Sequence, residues 1–161
     1  DGNSIVGLWP SLAGQNEKYL TKQLRLVKSG GRVIASMTGL LDNLEDSDLE
    51  DIAAFYASQT NKVGQTEESK VELGKKLYYA GSLEKGVPAC SACHSPRGQG
   101  NAPAAYPLLS GQQPEYVAKA LKDYRSGERL NEDPSKMMAA IAYKLDDQEI
   151  EALASFIHGL Y

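Results

Sequence analysis

Ten positions of this chain match in the same order 97 apart, nine by the same residue and one Trp by a Tyr. Trp9, Pro10, Leu12, Gly14, Gln15, Tyr19, Lys22, Leu24, Ser29 and Gly30 correspond to Tyr106, Pro107, Leu109, Gly111, Gln112, Tyr116, Lys119, Leu121, Ser126 and Gly127. Six more recur 101 apart: Met37, Leu44, Asp46, Leu49, Ala53 and Phe55 against Met138, Leu145, Asp147, Ile150, Ala154 and Phe156. Two unrelated amphipathic helices share apolar spacing, but they do not share Pro, Gly, Gln and Ser at fixed offsets. The chain is therefore two copies of one pattern, with four residues inserted in a loop of the second.

Each copy predicts two helices. Leu20, Leu24 and Val27, and later Val117, Leu121 and Tyr124, follow the i, i+4, i+7 spacing of one helical face. Pro114 suits a first helical position, Gly30 and Gly127 suit helix stops, and Lys28 and Arg125 suit the last turn. The second helix carries Leu49, Ile52, Ala53 and Tyr56, then Ile150, Leu153, Ala154 and Ile157. Ser47 with Glu50 reads as a capping box at its start, and Ser69 with Glu72 as another. The latter opens a third helix bearing Val71, Gly74, Leu77 and Tyr78, which has no counterpart in the first copy. Ser58 to Glu68 is polar and aperiodic. These signals divide the chain into a first domain over 1–60, a linker over 61–68 and a second domain over 69–161. The Gly2-Asn3 and Gly100-Asn101 pairs start the first copy just downstream of the segment 90–94. A counterpart of that segment and of the third helix is thus expected upstream of Asp1, and without it Ile52 and Phe55 are expected to be exposed.

Cys90-Ser91-Ala92-Cys93-His94 is the one specific chemical motif. Cys-x-x-Cys alone serves redox disulfides, zinc sites and haem attachment. Structural zinc needs four ligands, and two Cys and two His leave little to supply them. A thioredoxin-like site needs a strand leading into the motif, whereas the flanks here read as helix and Gly/Pro-rich loop. With 2 His in 161 residues, a chance His directly after the motif is a rare coincidence. Cys-x-x-Cys-His is the attachment signature of c-type haem. Thiols one helical turn apart each reach a vinyl group on one edge of the porphyrin, and the next residue projects its imidazole over the iron.

Electron transfer favours a second axial ligand, and His/Met ligation raises the potential. A methionine is ordinarily core filler, but Met37 and Met138 hold one address in the repeat, seven residues before Leu44 and Leu145. Met138 is therefore the expected ligand opposite His94, with Met137 its neighbour, and Met37 the expected ligand of a first haem. An axial His usually donates its other N–H to a carbonyl. Pro107 is the candidate, and Pro10 its counterpart. His158 reads as a solvated helix end, because Ala57 takes its place in the first copy. The acidic clusters 42–51 and 146–151 read as helix caps and exposed faces.

Composition narrows the partners. Lys plus Arg is 17 and Asp plus Glu 21, so the formal net charge is −4 and no basic block offers itself to nucleic acid. No run approaches the roughly 18 apolar residues of a membrane span. The polar, acidic first residue fits a chain whose signal peptide has been removed, or a cytoplasmic one.

The haem motif, the Tyr-Pro-x-Leu-x-Gly-Gln stretch at 106–112 and a late Met before an amphipathic terminal helix resemble a class I cytochrome c domain. The duplication, with Asp-Gly-Asn-Ser at 1–4, Met-Thr-Gly at 37–39 and Asp-Ile-Ala-Ala at 51–54, resembles the cytochrome c4 family of two-haem electron carriers. That resemblance implies an all-α chain of two tandem class I cytochrome c-like domains and haem c attached through Cys90 and Cys93. It implies a second haem where the upstream segment is present, and propionates bonded across the domain interface. It implies a periplasmic location, free or membrane-associated, and redox partners such as a quinol-oxidising complex and a membrane oxidase. Arg97 and Arg129 lie near the loops that propionates would approach. Two other functions stay open at this point: a peroxidase-like haem enzyme with an open coordination site, and a haem-free thiol redox module.

Overall fold

The computed structural model describes residues 1–129 and 133–161. Among these the chain is helical, and its only strand-like pairings are the isolated bridges Ser82–Val87 and Asn101–Tyr106. The order is α1 (Glu17–Lys28), a 3-10 turn (Ala35–Met37), α2 (Asp46–Ala57), a 3-10 turn (Glu68–Lys70), α3 (Val71–Ala80), the one-turn α4 (Ser91–His94), α5 (Pro114–Ser126), α6 (Asp133–Ala142) and α7 (Asp147–His158).

The repeat reappears as the pairs α1/α2 and α5/α7. α1 starts where the Asn16 side chain accepts the Lys18 and Tyr19 N–H groups, which would otherwise lack partners. α5 starts on Pro114 and stops at Gly127, whose left-handed φ of 86° suits a residue without a side chain. The predicted Ser47–Glu50 box is not used. The start of α2 lies two residues earlier, where the Asp48 carboxylate accepts the Glu45 N–H at 2.7 Å, while Glu50 is held by Arg25 at 2.7 Å. The same offset of 101 reaches Asp146 and Glu149, which exchange bonds of 2.9 and 3.0 Å at the start of α7. The Ser69–Glu72 box is also absent. Ser69 already lies within the 3-10 turn and donates its hydroxyl to Glu67, so α3 begins at Val71 with no side-chain cap.

The main core gathers Leu77 and Tyr78 of α3, Val87, Val117 of α5, Leu145, and Ile150, Leu153, Ala154 and Ile157 of α7. α3 crosses α7 at Gly74, where an added Cβ would lie 2.5 Å from the Ala152 carbonyl oxygen and the Phe156 Cβ. In the first copy α1 packs on α2 around Leu20, Leu49 and Ala53. Phe55 is exposed as expected, at 56%, whereas Ile52 is only half-buried rather than exposed. Segment 59–67 forms no helix and returns along α7, where Gly64 N–H donates to the His158 carbonyl and Glu67 N–H to the Ser155 hydroxyl.

Candidate functional site

α3 and the loop after it deliver Cys90 to the edge of the core. Gly81, with φ of 67°, lets the chain turn back there, and a Cβ at Gly81 would strike the Val87 carbonyl. From Cys90 the backbone makes one helical turn, with the Cys93 and His94 N–H groups both donating to the Cys90 carbonyl, at 3.3 and 3.0 Å. Cys90 is half-buried against the core and Cys93 is exposed. Ser95 then adopts a left-handed φ of 68°, uncommon for a residue with a side chain. Its carbonyl is held by the buried Tyr78 hydroxyl at 2.7 Å. Burial pushes that phenol well above its ordinary range.

His94 is 8% exposed. Its Nδ1 lies 3.2 Å from the Pro107 carbonyl oxygen. That oxygen only accepts, so Nδ1 carries the proton and Nε2 of the neutral ring keeps its lone pair. Burial lowers the imidazole pKa, and the Pro107 bond opposes part of that effect. The loop 95–107 folds tightly enough to bring Pro107 there. The His94 backbone carbonyl accepts from Gly100 N–H at 2.9 Å, and a side chain at Gly100 would meet the Tyr106 and Pro107 carbonyls. The Tyr106 ring stands 6.1 Å from the imidazole, centroid to centroid.

These contacts tie Cys90, Cys93, His94 and Pro107 into one unit. Met138 lies on α6, half-buried, beside the more exposed Met137. Met37 ends the first 3-10 turn, half-buried, and Pro10 lies in the loop before Ser11. The donor chemistry fits a c-type haem: two thiols one turn apart and an imidazole with its tautomer fixed. It fits the thiol alternative poorly. Burial raises the Cys90 thiol to about 11, the opposite of an activated nucleophile. Among the described residues no three His, Cys, Asp or Glu side chains gather to hold a bare metal ion.

His158 corrects the sequence expectation. It is no solvated helix end, because Gly64 packs against the imidazole and Nδ1 lies 3.1 Å from the Gln112 carbonyl oxygen. Arg97 is exposed, whereas Arg129 is buried.

Sequence reasoning passed over the residues that join the two copies. Gln112 accepts the Ser11 N–H at 2.8 Å and donates to the Ser11 carbonyl at 2.9 Å. Gln15 accepts the Leu108 N–H at 2.7 Å and donates to the Leu108 carbonyl at 2.9 Å. Arg32 donates to the Tyr116 hydroxyl at 3.0 Å, and Arg129 to the Tyr19 hydroxyl at 2.9 Å. Each pair maps onto its fellow by the offset of 97, so the copies meet through the same patch on both, the pattern of a twofold interface. Burial raises the Tyr116 phenol, but Arg129 and Arg32 outweigh it and hold the group below its usual value. The repeat contained the signal: Gln15/Gln112 and Tyr19/Tyr116 are among the ten matched pairs.

Residues 71–160 match the Cytochrome c family. Cytochrome c4 of Azotobacter vinelandii is 48% identical over the whole chain and 81% of its own length. A thiosulfate dehydrogenase electron acceptor of Stutzerimonas stutzeri (strain A1501) is 34% identical over 92% of the chain and 69% of its own length. The crystal structure of reduced recombinant cytochrome c4 from Pseudomonas stutzeri superposes with a TM-score of 0.96 at 45% identity, covering 99% of this chain and 89% of that one.

Proposed function

The chain belongs to the cytochrome c4 family of electron-transfer proteins carrying covalent haem c, and from that premise we propose that Cys90 and Cys93 hold the haem while His94 and Met138 ligate its iron. The haem supplies a one-electron Fe(III)/Fe(II) couple. Cys90 and Cys93 would hold its edge through two thioether links, each thiol adding across a vinyl group. His94 would meet the iron through Nε2, because Nδ1 is committed to Pro107 O at 3.2 Å, the single observation that carries the assignment. Met138 is assigned by the repeat, since Met37 holds the same address. Met37 and Pro10 have the matching roles for a second haem. The chain divides into domains at 1–60 and 69–161, joined by 61–68.

The same premise makes the protein an electron carrier rather than an enzyme. No described helix is long and apolar enough to cross a membrane. The protein works in the periplasm, receiving electrons from a quinol-oxidising complex and passing them toward a membrane oxidase. The relative named as a thiosulfate dehydrogenase electron acceptor supports a dehydrogenase as another donor. A peroxidase-like site would need a spare imidazole, and His158 is bonded to Gln112.

Intact mass with a haem stain, followed by absorption spectra, tests this assignment. Haem mass on the fragment bearing Cys90 and Cys93, with a low-spin iron indifferent to carbon monoxide, is expected. Met138→Ala opens the iron to carbon monoxide. A wild-type iron that already binds carbon monoxide readily overturns the His/Met pair, and a fragment without haem overturns the attachment.

A further inference from the structure

The peptide unit joining Pro107 to Leu108 is bonded at both ends. Its oxygen, on Pro107, meets His94 Nδ1 at 3.2 Å. Its N–H, on Leu108, donates to Gln15 Oε1 at 2.7 Å. Gln15 belongs to the first copy, is 4% exposed, and is locked in place by its second bond from Nε2 to the Leu108 carbonyl at 2.9 Å. A continuous line of hydrogen bonds thus runs from a side chain of one copy, through one amide, to the imidazole of the other.

Hydrogen bonds in series polarise one another in a low-dielectric interior. An amide whose N–H is bound offers a stronger carbonyl acceptor, and a stronger acceptor at Nδ1 makes the imidazole a more basic ligand. We infer that Gln15 is a positioning residue for His94, which sets the electron-donating strength of that imidazole and so the reduction potential of the haem beside it. This rests on His94 being the axial ligand, as proposed above. Through this line the first copy tunes the second. The reciprocal clamp of Gln112 on Ser11 is also buried and of similar geometry but does not touch the Pro107 amide.

That difference supplies the control. In the reduced holoprotein, Gln15→Leu is expected to move the His94 Nδ1–H proton resonance toward weaker hydrogen bonding. It is also expected to raise the midpoint potential of that haem. A change of about threefold in the reduction equilibrium constant is expected, about 28 mV at 59 mV per tenfold for one electron. Gln112→Leu, which damages the interface equally, leaves the His94 resonance in place. Gln15→Glu keeps a stronger acceptor and moves the resonance the other way, which serves if the Leu variant does not fold. Unmoved resonance and potential in the Gln15 variants, or equal movement in Gln112→Leu, overturn the inference. A wild-type protein lacking a low-spin haem overturns the His94 assignment itself, a result readable before any Gln15 variant is made.

Discussion

The two copies carry one pattern with two outcomes. α2 and α7 share Leu49/Ile150, Ala53/Ala154 and Phe55/Phe156 at one offset, and the first two pairs are buried in both. They part in what covers the rest of that apolar surface. Leu153 and Ala152 of α7 are almost wholly buried, Ala152 against Gly74 of α3, and Phe156 packs against Gly74 and the rings of Tyr78 and Tyr79. On α2, Ile52 and Phe55 keep much of their surface in water, and among the described residues the chief neighbour of α2 is α1. The amphipathic pattern decides that both segments are helices. What covers the helix decides how much each apolar residue contributes.

The contrast is broken most readily at equivalent addresses. Leu153→Ala should cost about 2–5 kcal/mol, the usual loss for emptying a closed core site. Ile52→Ala, 101 residues earlier, should cost about half of that or less, because part of its surface never leaves water. Chemical denaturation of the holoprotein measures both. Equal losses would mean that α2 is covered as well as α7.

The next effect is set by close approach rather than by area. Gly74→Ala places a methyl group 2.5 Å from the Ala152 carbonyl oxygen, so α3 must lift off α7. A loss of about 1–3 kcal/mol is expected, in the range of overpacked cores. A melting temperature within error of wild type would show that the crossing has slack, and the tight α3–α7 contact would no longer separate the copies.

Much of this architecture was legible because the chain is written twice. Helices α1, α2, α3, α5 and α7, the stop at Gly127 and the Cys-x-x-Cys-His turn at 90–94 follow from periodicity, glycine chemistry and thiol spacing, whereas α6 was not among the predicted helices. The caps were misread for a definable reason. Ser47–Glu50 and Ser69–Glu72 match a local rule, but Glu50 is drawn to Arg25, and Ser69 lies in a 3-10 turn. The caps that form, Glu45/Asp48 and Asp146/Glu149, are themselves a repeated pair at offset 101. His158 was misplaced because its cover, Gly64 and the Gln112 carbonyl, is distant in sequence. Gln15 and Gln112 were recognised as matched residues but not as an interface. A glutamine's two bonding directions say nothing about its partner until the chain brings one within reach.

The smallest expected effect separates two carboxylates near these helix starts by the kind of bond each uses: Asp46, whose counterpart at offset 101 is Asp147 held by Arg125, and the capping Asp146. Asp46 is held below the ordinary carboxylate range chiefly by its hydrogen bond with Arg25. For Asp146 the main cause is the backbone N–H of Glu149, with Lys85 second. In both the folded pKa is depressed. Their contribution to stability is therefore complete above the unfolded value of about 4 and fades as the pH falls through the folded value. All of these side chains are at the surface, so the loss is slight. Salt screens the contact of two mobile exposed charges more than it weakens a fixed backbone donor. In a carboxylate NMR titration, raising the salt concentration should move Asp46 upward further than Asp146, and Arg25→Ala should return Asp46 to the ordinary range while leaving Asp146 where it was. Equal salt sensitivity would mean that Lys85, not the Glu149 amide, governs the Asp146 carboxylate at the start of α7.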